Sequence, residues 1–170
     1  MKILFIEVDT ESDWAVASLG PAFLAATLRR HGHEAAFFRA TLGTLDGRVV
    51  ERVACEAPDL IGVSLTTRQW RDARRILGAI RRELAIPVVV GGLHPTFSPE
   101  EVLRHPGIDY ACLGEGEGPL LDLVEAHGPV VTPGSEVVGE DRQLNRLAHR
   151  QLGDSKNGRR REEPAIIGWL

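Results

Sequence analysis

The sequence predicts an open α/β domain built on five parallel strands with helices on both faces. Two observations carry this expectation. Short, almost continuously apolar runs alternate with helix-period segments five times along the first 127 residues. The apolar runs also lack the in-out alternation of a half-solvated sheet, as expected where both faces of a parallel sheet are covered.

Taken in order, Ile3–Val8 reads as a buried first strand and Asp9–Asp13 as a polar loop. From Leu19 to His31, residues Leu19, Phe23, Leu24, Thr27 and Leu28 recur at helical spacing, with Pro21 in the first turn and Gly32 as the terminating residue. Glu34–Phe38 is the second strand, and Asp46–Glu56 is a helix through Val49, Val50 and Val53. Leu60–Ser64 is the third strand. Arg68–Leu84 is an amphipathic helix with Trp70, Ala73, Ile76, Leu77 and Ile80 on its apolar stripe. Pro87–Val90 is the fourth strand, stopped by Gly91-Gly92. Ser98, Pro99 and Glu101 have the pattern of a capping box. Ile108–Leu113 is the fifth strand and Glu117–His127 the last helix. Right-handed crossovers leave few topologies, and the flavodoxin-like order 2-1-3-4-5 is the expected one.

The regular pattern ends near Pro129. Residues 128–170 read as a tail or linker: a turn-rich stretch, one short helix over Gln143–Leu152, a charge run over Asp154–Glu163 for which disorder is the default, and an apolar end with Trp169. The expected domain is therefore 1–127.

Composition narrows the function. A hydrophobic content of 43% with only 5% aromatic residues predicts an aliphatic core. A net charge of −4 disfavours a nucleic-acid-coating protein. No run reaches membrane-spanning length, and the N-terminus lacks a signal-peptide pattern, so a soluble, cytoplasmic protein is expected. Two cysteines, Cys55 and Cys112, are too few for an iron–sulfur cluster and read as buried thiols.

In a sheet of this kind ligands bind beyond the carboxyl ends of the strands. Four loops therefore matter. The acids of Asp9–Asp13 are placed to bind a cation, as in a receiver domain. Ser64 stands where a receiver requires aspartate, so a solvated loop is favoured. Ser64, Thr66 and Thr67 offer three hydroxyls, either to a ligand or as a cap for the next helix. Gly91-Gly92 allows close backbone approach or positive φ, and His94 is expected to be extended because Pro95 follows it. Gly114-Glu115-Gly116-Glu117 repeats the glycine theme at the fifth strand. Neither glycine loop has the spacing of a Walker or dinucleotide-binding loop, which disfavours nucleotides.

Gly91-Gly92-Leu93-His94-Pro95-Thr96, Pro99-Glu100-Glu101, Gly107-Ile108-Asp109-Tyr110 and Gly114-Glu115-Gly116-Glu117 together resemble the cobalamin-binding domain that precedes the barrel of many radical SAM enzymes. Leu19-Gly20-Pro21 through Glu34 resembles its first helix and second strand. The wider cobalamin-binding family carries Asp-x-His-x-x-Gly, Ser-x-Leu (or Thr) and Gly-Gly after strands one, three and four. Ser64-Leu65-Thr66 and Gly91-Gly92 match the second and third marks. With Gly20 on the glycine of the first, Ala17 falls on the cobalt-ligating histidine and Ala15 on its aspartate.

The resemblance thus implies cobalamin bound without a protein imidazole on cobalt, a change in axial ligand that alters the metal's chemistry. It implies a cofactor site formed by Ser18, Leu19, Gly20, Ser64, Leu65, Thr66, Thr67, Gly91, Gly92, His94, Pro95, Thr96, Gly114, Glu115, Gly116 and Glu117, with no protein metal ligand. The Cys-x-x-x-Cys-x-x-Cys motif of a radical SAM barrel is absent from the sequence. The expectation is a carrier or accessory module without catalysis of its own, working with a separate radical SAM or methyltransferase partner. A cofactor-free interaction module and a truncated copy of a larger enzyme are the alternatives.

Overall fold

Ile3, Leu4, Phe5 and Ile6 are all buried, so side chains on both sides of the first strand leave water. A strand of that kind needs a cover on each face, and the chain supplies two. The computed structural model describes residues 1–10, 19–41, 43–127 and 165–168. Its strands are β1 (Lys2–Val8), β2 (Glu34–Ala40), β3 (Leu60–Ser64), β4 (Val88–Gly91), β5 (Tyr110–Leu113) and β6 (Ala165–Gly168). The helices are α1 (Leu19–Arg30), α2 (Asp46–Glu56), α3 (Trp70–Glu83), α4 (Leu93–Phe97), α5 (Pro99–Leu103) and α6 (Glu117–His127).

All strand pairs are parallel, and the sheet order is β2-β1-β3-β4-β5-β6. The expected order 2-1-3-4-5 is present. The expected count of five is corrected to six, because Ala165–Gly168 pairs with Tyr110–Leu113 along the edge of β5. Four residues without period or caps carry too little local signal to be told from an apolar tail. The short helix and the charge run expected before them lie outside the described residues.

Each face has its own core. Ile3, Phe5, Leu60, Val89, Tyr110 and Cys112 pack under Ala25 and Leu28 of α1 and Leu120, Leu123 and Val124 of α6. On the other face Leu4, Ile6, Ile61, Val63, Val88 and Val90 pack under Val49 and Val53 of α2 and the Trp70–Ile80 stripe of α3.

The helix α1 differs from expectation in its facing. Leu19 and Phe23 are 70% and 63% exposed, while Pro21, Ala25 and Leu28 are buried. Gly32 takes φ of 80° after α1, as its role of terminator requires. Cys55 is exposed; of the two thiols only Cys112 is buried. The capping box at Ser98 does not form. Glu101 instead accepts a hydrogen bond from the Trp70 indole at 2.7 Å, tying α5 to α3.

His105 follows α5, and its Nδ1 accepts a hydrogen bond from the Gly107 backbone at 3.1 Å. Burial lowers its pKa, with a smaller opposing hydrogen bond to the Arg74 backbone. His33 is lowered in the same way, first by burial and then by the N-terminal amine. A base whose folded pKa is depressed binds fewer protons folded than unfolded. Stability is therefore full above the unfolded value of about 6.5 and falls as pH drops below it. Denaturant midpoints measured from pH 8 to 5 are expected to decline below about pH 6.5. The decline should be shallower in His105→Gln, and an unchanged slope would assign it to other groups.

Candidate functional site

Small residues open a hole in one face of the sheet. Gly62 and Ser64 alternate on β3, with Phe5 and Val89 the ladder partners of Gly62, Gly91 of β4 the partner of Ser64, and Cys112 beside Gly91. The helices over this face begin with small residues too: Gly20 in α1, and Gly116 just before α6. The sheet and its helices therefore stand apart at the carboxyl edge and enclose a cavity of about 140 Å³. It lies across β1, β3 and β4, where the strand order reverses, as expected for a ligand site in such a sheet.

Eight residues expected at the site line this cavity. Gly20 stands on the α1 side, Ser64 at the end of β3, Gly91 and Gly92 after β4, and Gly114, Glu115, Gly116 and Glu117 after β5. The depth of the cavity comes from residues that the loop-by-loop reading missed. Phe5, Leu24, Gly62, Val63, Val89, Cys112 and Leu120 complete the wall. One signal for them was present: a glycine inside the apolar strand Leu60–Ser64 marks a place where something approaches closely. At Gly62 that neighbour is the Phe5 ring, 2.8 Å from where a Cβ would stand.

Cys112 sits between the two glycine loops. Its Cβ would lie 3.5 Å from a Cβ at Gly91, and its Sγ 3.6 Å from one at Gly116. Burial, followed by the Glu117 carboxylate, pushes this thiol up to about 11. It stays protonated at neutral pH and is a neutral part of the wall.

The remaining expected residues are elsewhere. Leu19 is exposed at the start of α1 and Leu65 is buried in the opposite core. Thr66 caps the turn Thr67–Gln69: its N–H donates to Gln69 Oε1 at 2.8 Å, and Gln69 Nε2 donates to the Val8 carbonyl at 2.6 Å. Its hydroxyl donates to the same Gln69 oxygen at 3.0 Å. Thr67 is exposed in that turn. Ser18, Ala15, Ala17 and the acids Glu11 and Asp13 lie outside the described residues. Asp9 accepts hydrogen bonds from Arg39 at 2.6 and 3.0 Å, and no group of three or more metal-binding side chains occurs among the described residues.

His94 turns away from the cavity. It is helical rather than extended, because Leu93–Phe97 forms one turn in which Pro95 is the third residue, where an N–H has no intrahelical partner to lose. Its ring packs on Trp70 with centroids 5.0 Å apart and is 3% exposed. Its Nε2 has no hydrogen-bond partner; Glu101 Oε2 is 4.0 Å away. Pro95 is buried beside it. Thr96 joins the two loops: its hydroxyl donates to the Gly92 carbonyl at 2.8 Å and accepts from the Gly114 N–H at 3.1 Å.

Gly92 has φ of 95° and ψ of −164°, a region open only to glycine. A Cβ there would stand 2.8 Å from the Leu65 carbonyl and 2.9 Å from its nitrogen. Around that contact the Leu65 N–H donates to the Gly91 carbonyl at 2.8 Å, and the His94 N–H to the Leu65 carbonyl at 3.0 Å. The close approach that this glycine permits is therefore to the protein's own backbone.

Residues 10–124 match the family described as the B12 binding domain. The chain belongs to the B12-binding domain family. The cofactor of that family is cobalamin, vitamin B12. Among individual relatives, the chain is 34% identical over 136 residues to an anaerobic magnesium-protoporphyrin IX monomethyl ester cyclase of Rubrivivax gelatinosus, covering 74% of this chain and 24% of that one. It is 30% identical over 166 residues to an uncharacterized methyltransferase of Pyrococcus horikoshii, covering 92% of this chain and 34% of the relative. The chain thus spans a quarter to a third of the length of these curated relatives. Among solved structures, the cobalamin-dependent S-adenosylmethionine radical enzyme OxsB with aqua-cobalamin and S-adenosylmethionine bound superposes with a TM-score of 0.65 at 25% identity. That match covers 74% of this chain and 18% of OxsB. In this B12-binding domain, no helix of the described residues is long and apolar enough to cross a membrane.

The cavity suits the family's cofactor. Cobalamin combines a flat ring, amide arms and a nucleotide tail. The glycine loops leave backbone exposed at the rim for the arms. Below them is a slot with apolar walls that is comparable in size to cavities known to take a single aromatic ring.

Proposed function

We propose that the chain holds cobalamin with its nucleotide tail in the cavity between Gly62, Gly91 and Leu120, without a protein histidine on cobalt. In this reading it is a carrier or accessory domain for a radical SAM or methyltransferase partner. The observation that carries the reading is the cavity itself, opening at the carboxyl edge in a member of the B12-binding family. Two facts support the missing imidazole. Ala17 stands where the alignment on Gly20 puts the family's histidine, and an alanine has no lone pair to donate. His94, next to the glycine loop, is packed against Trp70 instead of facing the cavity.

Bound cobalamin would supply a cobalt centre that carries a methyl group or exchanges electrons. The residues of this chain would exclude water from the tail, through Phe5, Val89 and Leu120, and accept amide hydrogens at the rim, through Glu115 and Glu117. The partner role draws on the relatives: one is named as a methyltransferase, and OxsB as a radical enzyme that uses cobalamin.

Reconstitution tests both parts. The purified chain mixed with hydroxocobalamin is expected to retain a visible corrinoid absorption band through gel filtration. After reduction to cob(II)alamin, its EPR spectrum should show no nitrogen superhyperfine splitting. Splitting that responds to 15N-histidine labelling would overturn the histidine-free assignment. No retained corrinoid at tens of micromolar would overturn cobalamin binding.

A further inference from the structure

The polar and apolar parts of the cavity are segregated by depth. At the rim stand the Ser64 hydroxyl and the Glu115 and Glu117 carboxylates, on the last strand residue and the loop before α6. One sheet row below them are Phe5, Gly62 and Val89, which are in register across β1, β3 and β4. Leu24 and Leu120 close the helix side. None of these deep side chains carries nitrogen or oxygen.

Backbone groups do not fill the gap. The Gly62 and Val89 positions lie within the parallel ladder, and the Gly91 carbonyl above them is taken by the Leu65 N–H at 2.8 Å. The Cys112 sulfur stands one sheet row above them, beside Gly91. A thiol is a weak donor and weak acceptor, and this one remains neutral.

We infer that the cavity discriminates among corrinoids by the base of their nucleotide tail, accepting benzimidazole-type bases and disfavouring purines. The inference rests on the proposed placement of the tail. A benzimidazole presents only carbon and hydrogen at its far edge, which matches Phe5, Val89 and Leu120. An adenine brings an amino group and further ring nitrogens to the same place. Each would exchange water for a wall that offers it no partner, and a buried polar group left without its hydrogen bond is strongly penalised. Cys112, on the row directly above this apolar floor, is then the position from which the preference is adjusted. Cys112→Ser keeps the shape and adds a true donor and acceptor.

The test is a titration of the full chain, followed by absorbance, with three hydroxocorrinoids: the benzimidazole form, the adenine form, and cobinamide, which has no base. The benzimidazole form is expected to bind about tenfold or more tightly than the adenine form, with cobinamide also weaker. In Cys112→Ser the gap should narrow by about threefold or more. Equal affinity for the two complete corrinoids overturns the inference while leaving cobalamin binding intact. So does cobinamide binding as tightly as the benzimidazole form, which would place the tail outside the cavity. Failure of all three to bind removes the proposed function and the inference with it. If Cys112→Ser does not fold, as judged by circular dichroism, the comparison in the unaltered chain decides alone.

Discussion

Gly92→Ala is expected to destabilise the domain by about 3 kcal/mol or more, one of the largest effects available to a single methyl group here. Two causes add. The backbone at Gly92, φ 95° and ψ −164°, is in a region that costs an L-residue about 1–3 kcal/mol. The new Cβ would also stand 2.8 Å from the Leu65 carbonyl and 2.9 Å from the Leu65 nitrogen. Neither can yield easily, because the Leu65 N–H and carbonyl both hold hydrogen bonds to the loop that carries Gly92. Gly91→Ala is the control. Its Cβ would meet Cys112 at an ordinary 3.5 Å, and no positive φ is involved. Urea midpoints should separate the two variants clearly. A loss below about 1 kcal/mol in Gly92→Ala would mean that the loop relaxes, and that the strain described here is not what fixes the glycine.

This contrast bears on how much could be read from the sequence. A pair of glycines after an apolar strand correctly marks the edge of the sheet where the cavity opens. It does not say that, of the two glycines lining the cavity, one is also pressed against the chain. Gly91 lines the space beside Cys112, whereas Gly92 lines it and also accommodates Leu65, the residue just after β3, twenty-seven positions earlier. Such a contact is set by tertiary packing and leaves no local trace. His94 illustrates the same limit. The proline after it favours an extended backbone, yet packing of its ring on Trp70 and the turn beginning at Leu93 prevail.

Some elements were legible to the residue, as with Asp46–Glu56, Leu60–Ser64 and Glu117–His127. Where apolar residues surround a helix, period loses its direction. In α1 the large side chains Leu19 and Phe23 suggested the buried face, but the sheet is covered by Ala25 and Leu28. Small residues on the inner face let that helix lie close, and the bulky ones are left outside. The deep half of the cavity was hidden for a related reason. Phe5, Val89 and Leu120 look like ordinary core residues, and only the register of three strands shows that they surround a space.

Gly20→Trp is the substitution expected to weaken cobalamin binding most without disturbing the fold. Gly20 is the second residue of α1 and lines the cavity, and a Cβ there would meet no described atom within 4 Å. Replacing a helical glycine generally favours the helix by up to about 1 kcal/mol, so the variant should be at least as stable as the parent. An indole placed at the mouth competes with the tail for the same volume. A mismatch of that kind costs about 1–3 kcal/mol, which lowers affinity by roughly ten- to a hundredfold. Gly47 provides the matched control, since it is the second residue of α2 and also has no atom within 4 Å of a built Cβ. Because α2 covers the opposite face of the sheet, Gly47→Trp should bind cobalamin as the parent does. Absorbance titration of the three proteins with hydroxocobalamin makes the comparison. If Gly20→Trp and Gly47→Trp bind equally well, the cofactor does not enter between α1 and the sheet. The small residues at Gly62, Gly91 and Gly116 would then need a different explanation.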